Sequence, residues 1–352
     1  MFAAMIKTAW PLLPLVALLA GCGGGGASGS DPVGVVTTPA PTPSPTATAS
    51  PTPTAVTPTP TPTATGFTAQ AAAMYAVQPS IAGCAPGQLS TATTNAVLAS
   101  LNGIRALHRL PPVTYSSADE AAAQAAALLQ AANDSLSHTP PTSWKCYTAL
   151  GAAGSGASNL YGGFGNGLGL ISDDAVLAGW LTETNNIVAN SVGHRRWLLY
   201  PFLGSVAYGR VAGASPTQTR ADASALKVFN TAGSGVANGT LPAFVAYPYQ
   251  DYPARYFSTN ALLSFGVVAG ATATSNANRT VNFASAVVTV RQRGGGTLAV
   301  SRQSFDNDGY GLPNNLQFAV AGLQAGTYYD VTIDGVVVNG TRTNYAYFFR
   351  IV

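Results

Sequence analysis

Ten prolines stand between Pro32 and Pro62, interleaved with threonine, serine and alanine. No charged residue occurs from Pro32 to Ile104. Such a stretch cannot bury a core, and it favours extended polyproline conformations over helix or sheet. It divides the chain. Residues 23–66, glycine-rich and then Pro/Thr-rich, read as a disordered tether, and folding starts near Phe67.

The residues before the tether decide the address. Lys7 supplies a positive start, and Pro11 to Leu19 is an apolar run too brief to span a bilayer. Leu19-Ala20-Gly21-Cys22 closes it and resembles a bacterial lipobox. The resemblance implies a signal peptide over 1–22, cleavage before Cys22, and acylation of its sulfur and new amine. Several acyl chains hold a protein at a membrane where one binds only marginally. Gly23 stands where an aspartate would favour inner-membrane retention in such lipoproteins. The expected place is therefore the bacterial cell envelope, lipid-anchored, at the outer membrane or cell surface. The alternative is an ordinary signal peptide with a chance cysteine.

Only 8% of the 352 residues are charged, against about 25% in a usual globular chain. The 47% apolar share is inflated by alanine and does not read as a membrane bundle. With three lysines and a net charge of +3, nucleic acid is not an expected partner. Cys84 and Cys146 remain once Cys22 is set aside. An even pair in an exported chain reads as a disulfide, and closing a loop of this length contributes roughly 4 kcal/mol in the chain-entropy model.

Between 67 and 235 helical signals dominate. Val97, Leu101, Ile104 and His108 recur at helical spacing, and Pro111-Pro112 stops that helix. Ser117 to Glu120 has the form of a capping box ahead of an alanine-rich helix running to about Leu136. Gly151 to Gly169 reads as loop. A third helix is expected after Ser172, with Asp173 and Asp174 complementing its dipole. Val176, Trp180, Glu183 and Ile187 would share one of its faces. Val206–Val211 and Ala225–Phe229 read as short strands.

Residues 236–352 change character. Alternating runs at 286–290, 327–333 and 345–351 are separated by turn signals at Asp308-Gly309, Asp334-Gly335 and Asn339-Gly340. Short strands at such intervals predict an antiparallel, Ig-like β-sandwich. Asp306 to Gly309 invites a calcium reading. Aligned as an EF-hand loop, however, it has Ser304 at the first position and Asn315 where a glutamate belongs, so a turn is preferred.

Glu183 lies on an apolar stripe, where a carboxylate is costly unless paired. His138 and His194 are candidate partners. Equally, Glu183 could meet water at the stripe's edge beside Arg195 or Arg196. Five short segments now matter together: Leu101-Asn102-Gly103-Ile104-Arg105, Leu136-Ser137-His138, Ser158-Asn159-Leu160, Trp180-Leu181-Thr182-Glu183 and Gly193-His194-Arg195-Arg196-Trp197. In this order they resemble the CAP superfamily of cysteine-rich secretory, antigen 5 and pathogenesis-related proteins, also called SCP-like domains. The resemblance covers about 95–229. It implies an α+β chain: an α-β-α sandwich with a central antiparallel sheet, here followed by the β-sandwich.

The resemblance also implies a cleft with two histidines and two glutamates. His138 and His194 match the histidines, and Glu183 matches one glutamate. Ser158 stands where the other belongs. Zinc or another divalent cation held by His138 and His194, with Glu183 assisting, is the metal reading. A Ser158-His194-Glu183 triad lacks the Gly-x-Ser-x-Gly elbow and is disfavoured. The missing glutamate points to a binding module for a lipid, glycan or protein ligand rather than an enzyme. The alternatives are a metal-dependent, peptidase-like hydrolase and a structural envelope protein.

Overall fold

The computed structural model describes residues 66–215, 220–230 and 241–352. The signal segment, Cys22, the tether to residue 65 and the expected domain boundary near 235 lie outside the described residues. Among the described residues no helix is long and apolar enough to cross a membrane.

The described residues begin with α1 (Phe67–Ala72), β1 (Tyr75–Val77) and β2 (Gln88–Leu89). α2 (Thr91–Leu107) follows, its first turn capped by Ser90 Oγ, which accepts from the Thr93 N–H at 3.2 Å. Next come β3 (Thr114–Tyr115), α3 (Glu120–Asn133), α4 (Ala149–Gly156), β4 (Ser158–Phe164), α5 (Asp173–Thr182), α6 (Gly193–Leu198), β5 (Ser205–Gly213) and β6 (Ala221–Lys227). Four of these strands form one sheet in the order β3-β5-β6-β4. β6 pairs antiparallel with both neighbours. The edge strand β3 joins β5 in parallel, so the sheet is not wholly antiparallel.

Alternation along the strands assigns the two faces. Ala221, Ala223, Ala225 and Val211 turn to one side and bury Ala126, Ala127 and Ala131 of α3. Small residues let helix and sheet come very close. A Cβ on Gly209 would lie 2.3 Å from the Ala123 backbone. Val206, Tyr208 and Leu226 turn the other way, into a core with Val97, Leu101 and Ile104 of α2 and Trp180 and Leu181 of α5. Helices thus cover both faces, giving an α-β-α sandwich. The expected disulfide is present between Cys84 and Cys146, with an S–S distance of 2.04 Å.

Three local expectations need correction. The turn before α3 is a short 3-10 helix over Ser117–Asp119, and Ser116, not Ser117, reaches Asp119 at 2.7 Å. Asp119 also takes Lys227 and Asn230, so this carboxylate ties the turn to β6 instead of serving a capping box. The glycine-rich segment expected as loop holds α4 and β4. Its glycines permit close approach, since a Cβ on Gly154 would lie 2.2 Å from the Ala122 carbonyl oxygen of α3. The alanine-rich helix stops at Asn133, with Asp134 in the left-handed region.

The remaining strands are β7 (Phe244–Tyr247), β8 (Gln250–Tyr252), β9 (Leu263–Val267), β10 (Val287–Gln292), β11 (Thr297–Leu298), β12 (Val300–Asp306), β13 (Asn315–Val320), β14 (Tyr328–Val338) and β15 (Thr341–Ile351). They form two sheets, β11-β10-β14-β15-β8 and β12-β13-β9-β7. Pairing is antiparallel except where β8 joins β15. Asn339-Gly340 makes the β14–β15 turn with both residues at positive φ, as a two-residue hairpin requires. Asp334-Gly335 is not a turn. It is an irregularity inside β14, where Gly335 at φ 81° passes close to the Ser285 carbonyl. Asp306 leads a loop rather than a calcium site, and its carboxylate pairs with Arg196 at 2.8 Å.

One continuous buried cluster runs from Leu101 and Trp180 through Tyr247 to Phe265 and Phe349, so the β-rich part shares its core with the sandwich. His108 sits at that junction, 2% exposed, between the Ala246 carbonyl oxygen at 2.8 Å and the Tyr252 hydroxyl at 3.1 Å. Burial pushes its pKa down to about 3. It is therefore neutral, donating from Nδ1 and accepting at Nε2.

Candidate functional site

α5 and α6 meet at Glu183. The helix does not run on to Ile187, as its apolar stripe suggests. It stops at Thr182, and Glu183 takes the left-handed capping conformation at φ 58°. Ile187 is 78% exposed in the connection that follows. The turn swings the carboxylate inward, leaving its side chain 3% exposed. Oε2 accepts from His194 Nδ1 at 2.9 Å and from Asn186 Nδ2 at 2.8 Å, and Oε1 accepts from the Arg195 N–H at 3.0 Å. Of the two sequence readings for Glu183, the paired one holds.

His194, the second residue of α6, has a side chain 21% exposed. Its ring stacks on Trp180 at 6.5 Å and 27°. Asn159 of β4 holds its carbonyl at 3.1 Å, and Trp180 Nε1 donates to the Leu160 carbonyl at 2.9 Å. Three of the five sequence segments therefore lock together. With Nδ1–H given to Glu183, Nε2 is left as the acceptor.

His138 is exposed, and its Nδ1 donates to the Ser155 carbonyl at 3.0 Å. Its Nε2 is likewise left as the acceptor. The segment carrying it is set by Gln130, whose Oε1 accepts from the Ser137 N–H at 2.8 Å and whose Nε2 donates to Ser155 Oγ at 3.0 Å. Sequence reasoning missed Gln130 and Asn186. The available signals were a glutamine in an alanine-rich helix and an asparagine three residues after Glu183.

Ser158 does not face a reacting position. It is buried, and its hydroxyl donates back to the Gly154 carbonyl at 2.7 Å. Glu183 has both oxygens engaged. Among the described residues no three of His, Cys, Asp and Glu converge on a point that could hold a metal ion. The donors present do not fit the three-ligand site that supports zinc hydrolysis.

The two side chains of Arg195 and Arg196 turn to other partners than Glu183. Arg195, 1% exposed, gives Nε to Leu181 O at 2.5 Å and Nη1 to Leu262 O at 2.7 Å and Ser264 Oγ at 3.1 Å. Burial lowers its pKa from the ordinary value. Arg196 clamps Asp306 and the carbonyls of Tyr310 and Pro313. Together they bolt the Glu183–His194 corner to the β-rich part. Arg105 does the same within the sandwich, binding the Pro111, Leu198 and Tyr200 carbonyls.

Residues 98–219 match the family model described as Cysteine-rich secretory protein family, CAP. This chain carries a CAP domain. The match contains Ser158, His138, Glu183 and His194 and ends ahead of β6. No curated protein matches the chain.

Proposed function

We propose that this chain is a non-catalytic binding module of the bacterial cell envelope, held to a membrane by acylated Cys22 and spaced from it by residues 23–66. Its ligand is a lipid, glycan or protein group that donates hydrogen bonds to the Nε2 atoms of His194 and His138. The observation that carries the reading is the complete engagement of Glu183 by His194, Arg195 and Asn186. A carboxylate so occupied orients an imidazole well, but it is poorly placed to take a proton from water. With Ser158 bonded inward, the cleft offers acceptors without a nucleophile.

The test is calorimetric screening of the purified protein against phospholipid vesicles, soluble cell-wall glycan fragments and envelope protein extracts, beside His194→Ala. One ligand class is expected to bind, with at least about tenfold loss in the variant. Equal weak signals for every ligand, unchanged by the substitution, would overturn the reading in favour of a structural envelope protein.

A second reading, the divalent-metal hydrolase, draws on the same Glu183–His194 bond, because a carboxylate behind an imidazole also suits a metal ligand. Metal content after mild purification decides it. Stoichiometric zinc in wild type, lost in His138→Ala plus His194→Ala, would favour the hydrolase.

A further inference from the structure

Two cavities adjoin where the end of α2 meets β7 and β8. One, of about 400 Å³, is lined by Arg109, Phe244 and Tyr249 among others. The second, of about 480 Å³, is lined by Tyr249, Gln250, Asp251 and Phe348 beside Ala106 and Leu107. Tyr249 lines both, so a small extended ligand laid across this one side chain would make a single groove of the two. His138, Glu183 and His194 are not among the lining residues.

The wall is built in a particular way. The Arg109 guanidinium lies 5.3 Å from the Tyr249 ring centre, and Phe244 meets the same ring edge-on at 5.9 Å. Asp251 is held by a bidentate bond from Arg350, at 2.8 and 2.9 Å. Arg109 and Gln250 both have positive φ, 57° and 58°, without being glycine. Such backbone is costly and clusters at ligand sites. Behind the rings, the buried Tyr347 hydroxyl has no hydrogen-bond partner among the described residues, and this ring lies 5.9 Å from Phe244 and 6.3 Å from Tyr249.

Aromatic rings interleaved with planar amide, guanidinium and carboxylate groups match one ligand chemistry closely. A sugar ring offers an apolar C–H face to an aromatic ring and vicinal hydroxyls to planar bidentate groups. We propose that this groove binds a neutral oligosaccharide, with Tyr249 as the ring platform and Arg109 and Gln250 as hydroxyl partners. An added peptide strand fits less well, because the Ala246 carbonyl is already taken by His108. The proposal is independent of the cleft reading, and either can fail alone.

The test titrates purified full-length protein with cellotetraose and chitotetraose by calorimetry. At least one is expected to bind with a Kd below about 1 mM, weakened about tenfold or more in Tyr249→Ala and in Gln250→Gly. Gln250→Gly removes the amide and keeps the positive φ, so it reports on the groove even if Tyr249→Ala fails to fold. Absence of binding in wild type, or affinity unchanged in Gln250→Gly, would overturn the proposal.

Discussion

The guanidinium carbon of Arg195 lies 3.8 Å from the centre of the Tyr247 ring, at the seam between the CAP domain and the β-rich part. Among the described residues no carboxylate pairs with its side chain. Carbonyls from α5 and from the start of β9 satisfy it instead. The seam thereby fixes the end of α5, and with it Glu183. Arg195→Met is expected to lower unfolding stability by roughly 3 kcal/mol or more, because several buried carbonyls lose their donor. Arg195→Lys should recover little, since an ammonium cannot reproduce the fork or the stack. Urea midpoints of the three proteins check this. A midpoint for Arg195→Met equal to wild type would contradict it.

His108 makes the same seam sensitive to acid. Its pKa is pushed down to about 3 in the folded protein, mainly by burial and further by Arg195 and Arg105; an ordinary histidine titrates near ~6.5. Between these values the unfolded chain binds the proton and the folded chain does not. Stability should therefore fall as the pH drops through that window, by about 1.4 kcal/mol per unit for this group. Comparing unfolding of wild type and His108→Gln from neutral to acid pH isolates it. The expected result is a shallower loss in the variant, and parallel curves would contradict it.

The Cys84–Cys146 bond spans a sequence separation of 62. Replacing both residues by alanine is expected to cost roughly 4 kcal/mol, chiefly through the freed unfolded chain. The denaturant midpoint of Cys84→Ala plus Cys146→Ala measures this. A change below about 1 kcal/mol would mean that strain or residual structure offsets the constraint.

Much of this architecture was legible from residue order. The helix start after Ser172 and the Asn339-Gly340 turn are local effects, and Cys84 and Cys146 are the one pair left once Cys22 is set aside. The failures share a cause. Gly151, Gly154 and Gly209 look like loop residues until the helix or strand pressed against them is known. Glu183 was ambiguous because the end of α5 depends on Asn186, His194 and Arg195 arriving from beyond the helix. Arg195 and Arg196 sit beside His194 in the sequence, yet they serve the seam with the β-rich part, which no spacing within the CAP motifs reveals. Ser158 was visible as a departure, but its inward bond to Gly154 depends on α4, which was read as loop.

Glu183→Gln keeps the shape at the corner between α5 and α6 and removes one acceptor. It should leave a bond of His194, Asn186 or Arg195 unmade and cost roughly 1–3 kcal/mol. The His194 ring should also lose its fixed tautomer. Nitrogen spectra of the neutral ring are expected to show Nδ1–H in wild type and a mixture in the variant. A dominant Nε2–H form in wild type would contradict the geometry.

With only three histidines in the chain, each imidazole can be followed separately by proton–nitrogen NMR during titration with the ligand class found by screening. The account expects the His194 and His138 ring signals to move together and saturate with the bound fraction, while buried His108 stays still. Saturable binding that leaves both rings unmoved would place the ligand elsewhere and contradict the cleft.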